Sequence, residues 1–205
     1  MKTLPLIVAV LLIAITARGA GEAAPAAPTT PQPAVLQDTP PLPLPAGVQV
    51  LFSPADNIED YLVKLIDSAR VEILINQYAI SSPKIIRALI NAYAPPRQVF
   101  IAILLEAQPN LRNYQGPLVL RNNHLPCRVI NLPNGFSNQR YCIIDRTAVG
   151  IGSSDWSAVG LHNNAETLFV VAEPSIATTY YRHFLRDLGK SKPADSADNQ
   201  PAAKK

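Results

Sequence analysis

The chain has 205 residues, of which 48% are hydrophobic and only 16% are charged. This composition excludes a wholly disordered protein, because disordered chains combine few apolar residues with many charges. The length suffices for one domain with a substantial core plus tails. Over residues 47–189, twelve Lys and Arg face eleven Asp and Glu. This balance gives no electrostatic basis for nucleic-acid binding, which usually requires a basic surface.

The first 23 residues have the composition of a signal peptide. Lys2 precedes an apolar run over 4–17, and small residues over 17–23 provide cleavage sites. The alternative is an uncleaved membrane anchor, but the apolar run is shorter than the roughly 20 residues that a spanning helix needs. We therefore predict export to the periplasm or the medium after cleavage.

Residues 24–46 contain eight prolines. Proline fixes φ and removes a backbone donor, so this segment is predicted to be an extended linker. Residues 190–205 are polar and rich in alanine, without an apolar period, and are predicted to be a disordered tail. The folded domain is therefore expected to span residues 47–189.

The first half of this domain alternates between strands and helices. The predicted elements are a strand at 48–52, a helix at 57–70, a strand at 71–77, a helix from 82 to 94 and a strand at 99–105. Asp56 is the candidate cap of the first helix, and Ser82 with Pro83 begins the second. The order β-α-β-α-β favours parallel pairing at this end of the sheet.

The second half is richer in strands. After an irregular stretch at 108–123 that includes a short helix, the predicted strands lie at 127–131, 140–144, 148–151 and 167–172. Pro174 and Ser175 begin a last helix that Gly189 ends, and its apolar residues recur every four positions: Ile176, Tyr180, Phe184 and Leu188. The predicted fold is an α/β layered sandwich with a mixed, mostly parallel central sheet flanked by helices.

Two cysteines, Cys127 and Cys142, are symmetrically placed about Asn134-Gly135. Asn-Gly is a strong hairpin signal, and a two-residue turn there would place the two cysteines opposite each other. In an exported protein they could form a disulfide. The alternative is a pair of buried thiols on neighbouring strands, and the sequence leaves both open.

Polar residues recur at the ends of the second-half strands. Asn138, Arg140 and Asp145 lie along one predicted strand, and Ser153 and Asp155 follow the next. Asn164 and Glu166 precede the strand at 167–172. Because side chains alternate along a strand, those of residues 138 and 140 share one face. The residue types alone are more typical of ordinary strand ends than of a site.

The spacing resembles that of the phospholipase D superfamily, whose motif is His-x-Lys-x4-Asp, followed by Gly-Ser-x-Asn and Asn-x-Glu. The segment from Asn138 to Asp145 has the length of the first element. Gly152-Ser153-Ser154-Asp155 matches the second element except at its last position, and Asn164-Ala165-Glu166 matches the third. With the preceding strand and helix order, the resemblance covers residues 47–189 and is nearest to the small, single-motif bacterial nucleases of the superfamily.

The resemblance implies a metal-independent phosphodiesterase site without a cofactor. Two motif copies meet in the family's site, so the small members act as homodimers. One histidine attacks phosphorus and the other protonates the leaving oxygen, which suits imidazole near neutral pH. Lysines and asparagines hold the phosphate oxygens, where cations and donors stabilise the transferring group. By position, the implied catalytic residues are Asn138, Arg140, Asp145, Ser153, Asp155 and Glu166, with Arg140, Ser153 and Asn164 binding phosphate.

Three of these positions depart from the motif. Asn138 replaces the histidine, and its carboxamide is neither a competent nucleophile nor a proton shuttle, because its nitrogen lone pair is delocalised. Arg140 replaces the lysine and keeps a charge that can bind phosphate in bidentate fashion. Asp155 replaces an asparagine donor with an anion, which should repel a phosphodiester. A homodimer would repeat these changes, so the partner cannot supply the missing histidine.

Other histidines and one tryptophan lie near these elements. His162, in the loop between Asp155 and Asn164, is a remote candidate for a relocated nucleophile, whereas His183 is expected on the surface of the last helix. Trp156 is expected to pack beneath the site rather than to stack on a substrate.

Three functional hypotheses follow. The preferred one is an exported domain that has lost hydrolysis and acts as a binding or structural module of an envelope assembly, with secretion-apparatus proteins as partners by analogy alone. The second is an active phosphodiesterase, an endonuclease or phospholipase D, acting on nucleic acid or phospholipid through His162 or an unrecognised mechanism. The third is a binder of a phosphate-containing ligand through Arg140 and Ser153.

Overall fold

The fold is described from a computed structural model, which covers residues 46–107, 109 and 114–194. The predicted signal peptide, nearly all of the linker and the tail beyond residue 194 lie outside the described residues. Among those described, none of the helices is long and apolar enough to cross a membrane.

Eight strands and five helices are described. The strands are β1 (Val48–Ser53), β2 (Glu72–Gln77), β3 (Phe100–Glu106), β4 (Cys127–Ile130), β5 (Arg140–Ile144), β6 (Ala148–Gly152), β7 (Glu166–Val171) and β8 (Lys192–Pro193). The helices are α1 (Ile58–Ser68), α2 (Pro83–Tyr93), α3 (Gly116–Asn122), α4 (Ala158–His162) and α5 (Pro174–Lys190). The short α4 and β8 were not predicted, because five and two residues are too few to show a period.

All eight strands form one sheet in the order β1-β7-β6-β5-β2-β3-β4-β8. The predicted α/β class with a mixed sheet flanked by helices is confirmed. The predicted excess of parallel pairing is wrong in detail: β2–β3 and β3–β4 are parallel, and the other five pairings are antiparallel. The parallel pairing expected of βαβ units therefore holds for β2, β3 and β4, whereas β5, β6 and β7 pair as an antiparallel meander.

Each face of the sheet carries its own core. On one face, Ile58, Leu62 and Ile66 form the buried side of α1. They belong to one apolar cluster with residues of α2 and with strand residues such as Ile75, Cys142 and Leu168. On the other face, α5 packs Ala177 and Phe184 against a second cluster of strand residues. The sheet is therefore covered by helices on both sides.

The helix ends follow side-chain capping. Ser82 caps α2 as predicted, with its Oγ accepting a hydrogen bond from the Ile85 N–H at 3.1 Å. The predicted cap of α1, Asp56, is wrong. Asn57 caps this helix by accepting from the Asp60 N–H at 3.0 Å, because the Asp56 carboxylate instead turns back and accepts from the Phe52 N–H at 2.8 Å.

The carboxyl-terminal boundary lies beyond the predicted residue 189. Helix α5 runs through Gly189 to Lys190, and β8 (Lys192–Pro193) then pairs with β4, so the first residues of the predicted disordered tail belong to the fold. The predicted apolar face of α5 is also partly wrong. Ile176 is exposed, and Ala177 takes its place against the sheet, because a helix has 3.6 rather than four residues per turn.

The predicted hairpin between the two cysteines is not formed. Strands β4 and β5 are separated in the sheet by β3 and β2, so three strand spacings, about 14 Å, separate their lines. A disulfide requires Cα atoms within about 7 Å, and both cysteines are free thiols. The chain does turn locally here, but one residue earlier than predicted: Pro133 and Asn134 are the central residues, and Gly135 pairs with Leu132 in an isolated bridge.

Candidate functional site

Most of the predicted site residues lie at one end of the central strands of the sheet. Strands β2 and β6 end there, and β5 and β7 begin there, so Gln77, Arg140, Gly152 and Glu166 lie at the same edge. Antiparallel neighbours necessarily place the end of one strand beside the start of the next. We call this shared end of the four strands the motif edge.

The strand register also fixes the face on which these side chains lie. Arg140 shares its face with Cys142 and Ile144, and Glu166 shares its face with Leu168, because alternate strand residues point the same way. Cys142, Ile144 and Leu168 all belong to the core beneath α1 and α2. The motif side chains therefore project on the α1–α2 side of the sheet.

Asn138 and Arg140 contact each other directly. The Arg140 Nη1 donates to the Asn138 Oδ1 at 2.6 Å, and the guanidinium carbon lies 5.0 Å from the centre of the Tyr78 ring. The Arg140 Nε and the neighbouring Gln77 Oε1 are buried without a hydrogen-bond partner among the described residues. Asn138 itself is exposed. The residue at the nucleophile position thus orients a cation and offers no nucleophilic atom.

Ser153 and Glu166 form the second part of the site. The Ser153 Oγ donates to the Glu166 carboxylate and accepts from the Thr167 N–H at 3.0 Å. The Asn164 Nδ2 donates to the other Glu166 oxygen at 3.1 Å. The structure therefore brings Ser153, Asn164 and Glu166 together, as the spacing predicted. The Ser153 and Asn164 side chains both donate to the Glu166 carboxylate.

Ser53, at the end of β1, completes the hydrogen-bond network around Glu166 and is not among the residues predicted from the sequence. Its Oγ donates to the Asn164 carbonyl at 2.8 Å and accepts from the Glu166 N–H at 3.2 Å. A serine ending an apolar strand gives only a weak signal, and its role emerges only once β1 is known to pair with β7.

Gly152 allows the close approach of two strands at this edge. A Cβ on Gly152 would lie 2.4 Å from the Thr167 carbonyl oxygen. No side chain fits at that distance, so the glycine of the motif is required by backbone packing between β6 and β7.

Asp155 is turned toward α4. Its Oδ1 accepts from the Ser157 N–H at 3.1 Å and from the Ser157 hydroxyl. A Cβ on Gly160 would meet this same oxygen at 2.5 Å. The carboxylate that replaces the asparagine of the motif is therefore held by the start of a short helix.

Trp156 packs beneath the site, as predicted. Its side chain is 2% exposed and belongs to the core under α1 and α2. Its backbone N–H donates to the Ala79 carbonyl at 2.9 Å, and its backbone carbonyl accepts from the N–H groups of Ser81 and Ser82. The tryptophan thus ties the motif edge to the segment before α2.

Asp145 does not belong to the assembled site. It follows the last residue of β5, whereas Arg140 is the first, and a strand of this length spans about 17 Å. The Asp145 carboxylate accepts from the Arg70, Val71 and Glu72 N–H groups at 2.8–2.9 Å. Partial burial raises the pKa of Asp145, but these backbone hydrogen bonds outweigh that effect and hold the pKa below its ordinary value. Its role is to fix the turn before β2.

His162 and His183 each contact a carboxylate outside the motif. His162 Nε2 lies 3.3 Å from the Glu59 carboxylate, which also accepts from the Ser82 hydroxyl at 2.5 Å. This contact ties the imidazole to α1. His183 is partly buried on α5 rather than simply at the surface, and its Nε2 lies 3.2 Å from the Asp187 carboxylate.

The electrostatics of the motif edge differ from those of a phosphate-transferring site. Arg140 supplies one positive charge, whereas Asp155 and Glu166 supply two carboxylates. Over the described residues, no group of three or more His, Cys, Asp or Glu side chains is placed to hold a metal ion. The arrangement can orient and hold a ligand, but Asn138 cannot attack phosphorus.

The fold and the spacing of these residues define a phospholipase D-type domain. A family model described as cardiolipin synthase, PLD-like domain, matches residues 62–188, and the chain belongs to this family within the phospholipase D superfamily. The chain is similar to proteins named phospholipase D from Rickettsia bellii and Rickettsia conorii, with 28% and 27% identity over 138 residues. These matches cover 67% of this chain and 67% and 68% of the relatives.

Solved structures show the same fold. Nuc from Salmonella typhimurium, a phospholipase D family member, superposes with a TM-score of 0.64 at 24% identity, covering 71% of this chain and 95% of that one. NucT from Helicobacter pylori gives a TM-score of 0.63 at 21% identity, covering 71% and 98%. The predicted resemblance to the superfamily, including its endonuclease-like members, is confirmed.

Proposed function

We propose that this protein is an exported phospholipase D-like domain that no longer hydrolyses phosphodiesters and acts as a binding or structural module of an envelope assembly. The observation that carries the proposal is Asn138 at the nucleophile position, with its Oδ1 accepting from Arg140 Nη1 at 2.6 Å. A carboxamide held in this way can neither form a bond to phosphorus nor shuttle a proton.

Asp155 supports the same conclusion independently. A donor at this position would stabilise charge on a phosphoryl group, whereas a carboxylate opposes it. The Asp155 carboxylate is occupied by Ser157 at the start of α4. Two of the positions that the family uses for chemistry thus have local structural partners in this chain.

The retained cation indicates the class of ligand. Arg140 keeps its guanidinium at the motif edge, over the Tyr78 ring, and a guanidinium binds phosphate through two parallel donors. We propose a phosphate-containing ligand for this site, with a homodimer as the family arrangement. Export, the periplasmic location and partners in a secretion apparatus are also proposals, which rest on the composition of residues 1–46.

The alternative is an active, metal-independent phosphodiesterase acting on nucleic acid or phospholipid. It would require a nucleophile other than Asn138, and His162 is the candidate. The half-exposed His162 imidazole is oriented by Glu59, but this contact directs it to α1 rather than to Arg140. The alternative is therefore the weaker interpretation of this site.

The proposal is tested with the purified chain, incubated with single- and double-stranded DNA and with phosphatidylcholine vesicles in the presence of a chelator. No turnover above the buffer blank is expected. Turnover that either Arg140→Ala or His162→Ala abolishes would establish the active alternative. Turnover that survives both substitutions together would identify a contaminating enzyme.

Ligand binding and export need separate measurements. Inorganic phosphate should raise the melting temperature of the wild type but not that of Arg140→Ala, and Arg121→Ala serves as a control on α3. Absence of any shift at millimolar phosphate would remove the phosphate ligand from the proposal. Amino-terminal sequencing of the protein recovered from a periplasmic extract should begin near residue 24, and an intact Met1 would contradict cleavage.

A further inference from the structure

Strand β1 forms one edge of the sheet and pairs only with β7 among the described strands. The Gly47 carbonyl accepts from the Ala172 N–H at 2.7 Å, which fixes the hydrogen-bonding phase of the pair. In an antiparallel ladder, alternate residues face the partner strand. Gly47, Gln49 and Leu51 therefore direct their backbone groups toward β7, and Val48, Val50 and Phe52 direct theirs outward.

One of these three outward residues is already satisfied. The Phe52 N–H donates to the Asp56 carboxylate at 2.8 Å, and the Phe52 carbonyl accepts from the Asp56 N–H at 2.7 Å. Asp56 thus satisfies the backbone groups at the end of β1 that lies nearest the motif edge. Among the described residues, no strand pairs with the outward N–H and C=O groups of Val48 and Val50, which are separated by one residue.

The strand lacks the features that usually protect an edge. Its sequence, VQVLFS, contains no charge and no proline, whereas natural edge strands commonly carry lysine, proline or a bulge. The adjoining sheet face is apolar, with Phe52 54% exposed and Phe169 38% exposed. Uncharged, apolar edges of this kind accept a further strand.

We propose that β1 pairs with β1 of a second copy of this chain, joining two sheets through their edges. Antiparallel pairing with Val48 opposite the second copy's Val50, and Gln49 at the two-fold axis, satisfies the outward N–H and C=O groups of both valines in each copy. This register keeps paired side chains on the same face, as a ladder requires. The alternative register centred on Val50 places Val48 opposite Phe52, whose groups Asp56 already occupies.

The uncharged sequence of β1 favours pairing with an identical strand. Because the strand is uncharged, two identical copies meet without repulsion, and the two glutamines face each other across the axis. Closed two-fold contacts use the same surface on both copies. This contact lies on the outer edge of β1 and is independent of whether the motif edge hydrolyses or binds anything.

Hydrogen exchange of the full chain tests this pairing residue by residue. The Gln49 and Leu51 amides should be protected at all protein concentrations, because they face β7. The Val48 and Val50 amides should gain protection as the concentration rises, in parallel with dimer formation in sedimentation. A protein that stays monomeric, or a dimer in which the Val48 and Val50 amides gain no protection, would overturn the proposal.

Substitutions at one position separate this contact from any other association. Val50→Pro removes an outward donor that β7 does not use, and proline is tolerated at such edge positions. It should weaken the dimer about tenfold or more, since two intermolecular hydrogen bonds are lost. Val50→Lys, which keeps the donor and adds a charge, should do the same if the proline variant does not fold. Leu185→Lys, on the exposed side of α5, should leave this association unchanged. Protection of the Val48 amide that still rises with concentration in both Val50 variants would refute the proposal, whereas a dimer that persists without that protection is held by the motif edge instead.

Discussion

Substitution of Asp145 tests whether this motif residue is structural. Its carboxylate accepts from three backbone N–H groups at 2.8–2.9 Å, and it has a φ of 49°. Hydrogen bonds to a charged group contribute about 1.5–3 kcal/mol each when buried. Because these donors are partly exposed and regain water, we expect Asp145→Ala to cost about 3 kcal/mol in total. Asp145→Asn, which tolerates the left-handed backbone, should cost about half as much.

Thermal unfolding measures this effect. A loss of about 3 kcal/mol lowers the melting temperature by about 6–12 °C for a domain of this size. Asp67→Asn, which removes an exposed carboxylate that lies 3.5 Å from Arg97, is the matched control and should change stability by less than about 0.5 kcal/mol. An Asp145→Ala protein as stable as the control would refute the structural role.

The pH dependence gives an independent check with a defined sign. Folding lowers the pKa of Asp145, so the folded state favours the ionised form and gains stability from it. That gain is complete above the unfolded pKa, about pH 4, and is lost as the pH falls through the lower folded value. The stability difference between wild type and Asp145→Asn should therefore be constant near neutral pH and shrink in acid.

Three further predictions concern packing and topology. Gly152→Ala should destabilise the domain by about 1–3 kcal/mol, because the new Cβ would lie 2.4 Å from the Thr167 carbonyl oxygen. Gly135→Ala is the control, because a Cβ there would meet nothing within 4 Å. Urea unfolding should show that this control hardly changes the stability. Trp156→Ala should cost about 3–5 kcal/mol, and a small loss would contradict its buried position. Thiol titration of the unfolded protein without reductant should count both Cys127 and Cys142; a blocked pair would show a disulfide.

Local features of the fold could be predicted from the sequence. Ser82 and Pro83 mark the start of α2, and the apolar face of α1 sets its orientation, because capping and periodicity depend on neighbours within a few residues. Strand order is not local. The Asn134-Gly135 signal indicates a turn, which forms one residue earlier at Pro133-Asn134, but it says nothing about β2 and β3 lying between the two cysteines.

The candidate site could likewise be predicted only where it depends on local sequence. The spacing around Arg140, Ser153 and Glu166 correctly grouped these residues at one edge, because each lies where a strand begins or ends. The motif also predicts that Asp145 belongs to this site, but the length of β5 keeps it apart from Arg140. The contribution of Ser53 and the turning of Asp155 toward α4 depend on tertiary contacts that one sequence does not contain.

Restoration of the motif tests the loss of hydrolysis most directly. The triple variant Asn138→His, Arg140→Lys and Asp155→Asn should be compared with the wild type on bis(p-nitrophenyl) phosphate in the presence of a chelator. We expect no turnover by the wild type and measurable, metal-independent turnover by the variant, because the nucleophile and the phosphate donors are then present. Wild-type turnover that Arg140→Ala abolishes would contradict the loss of hydrolysis.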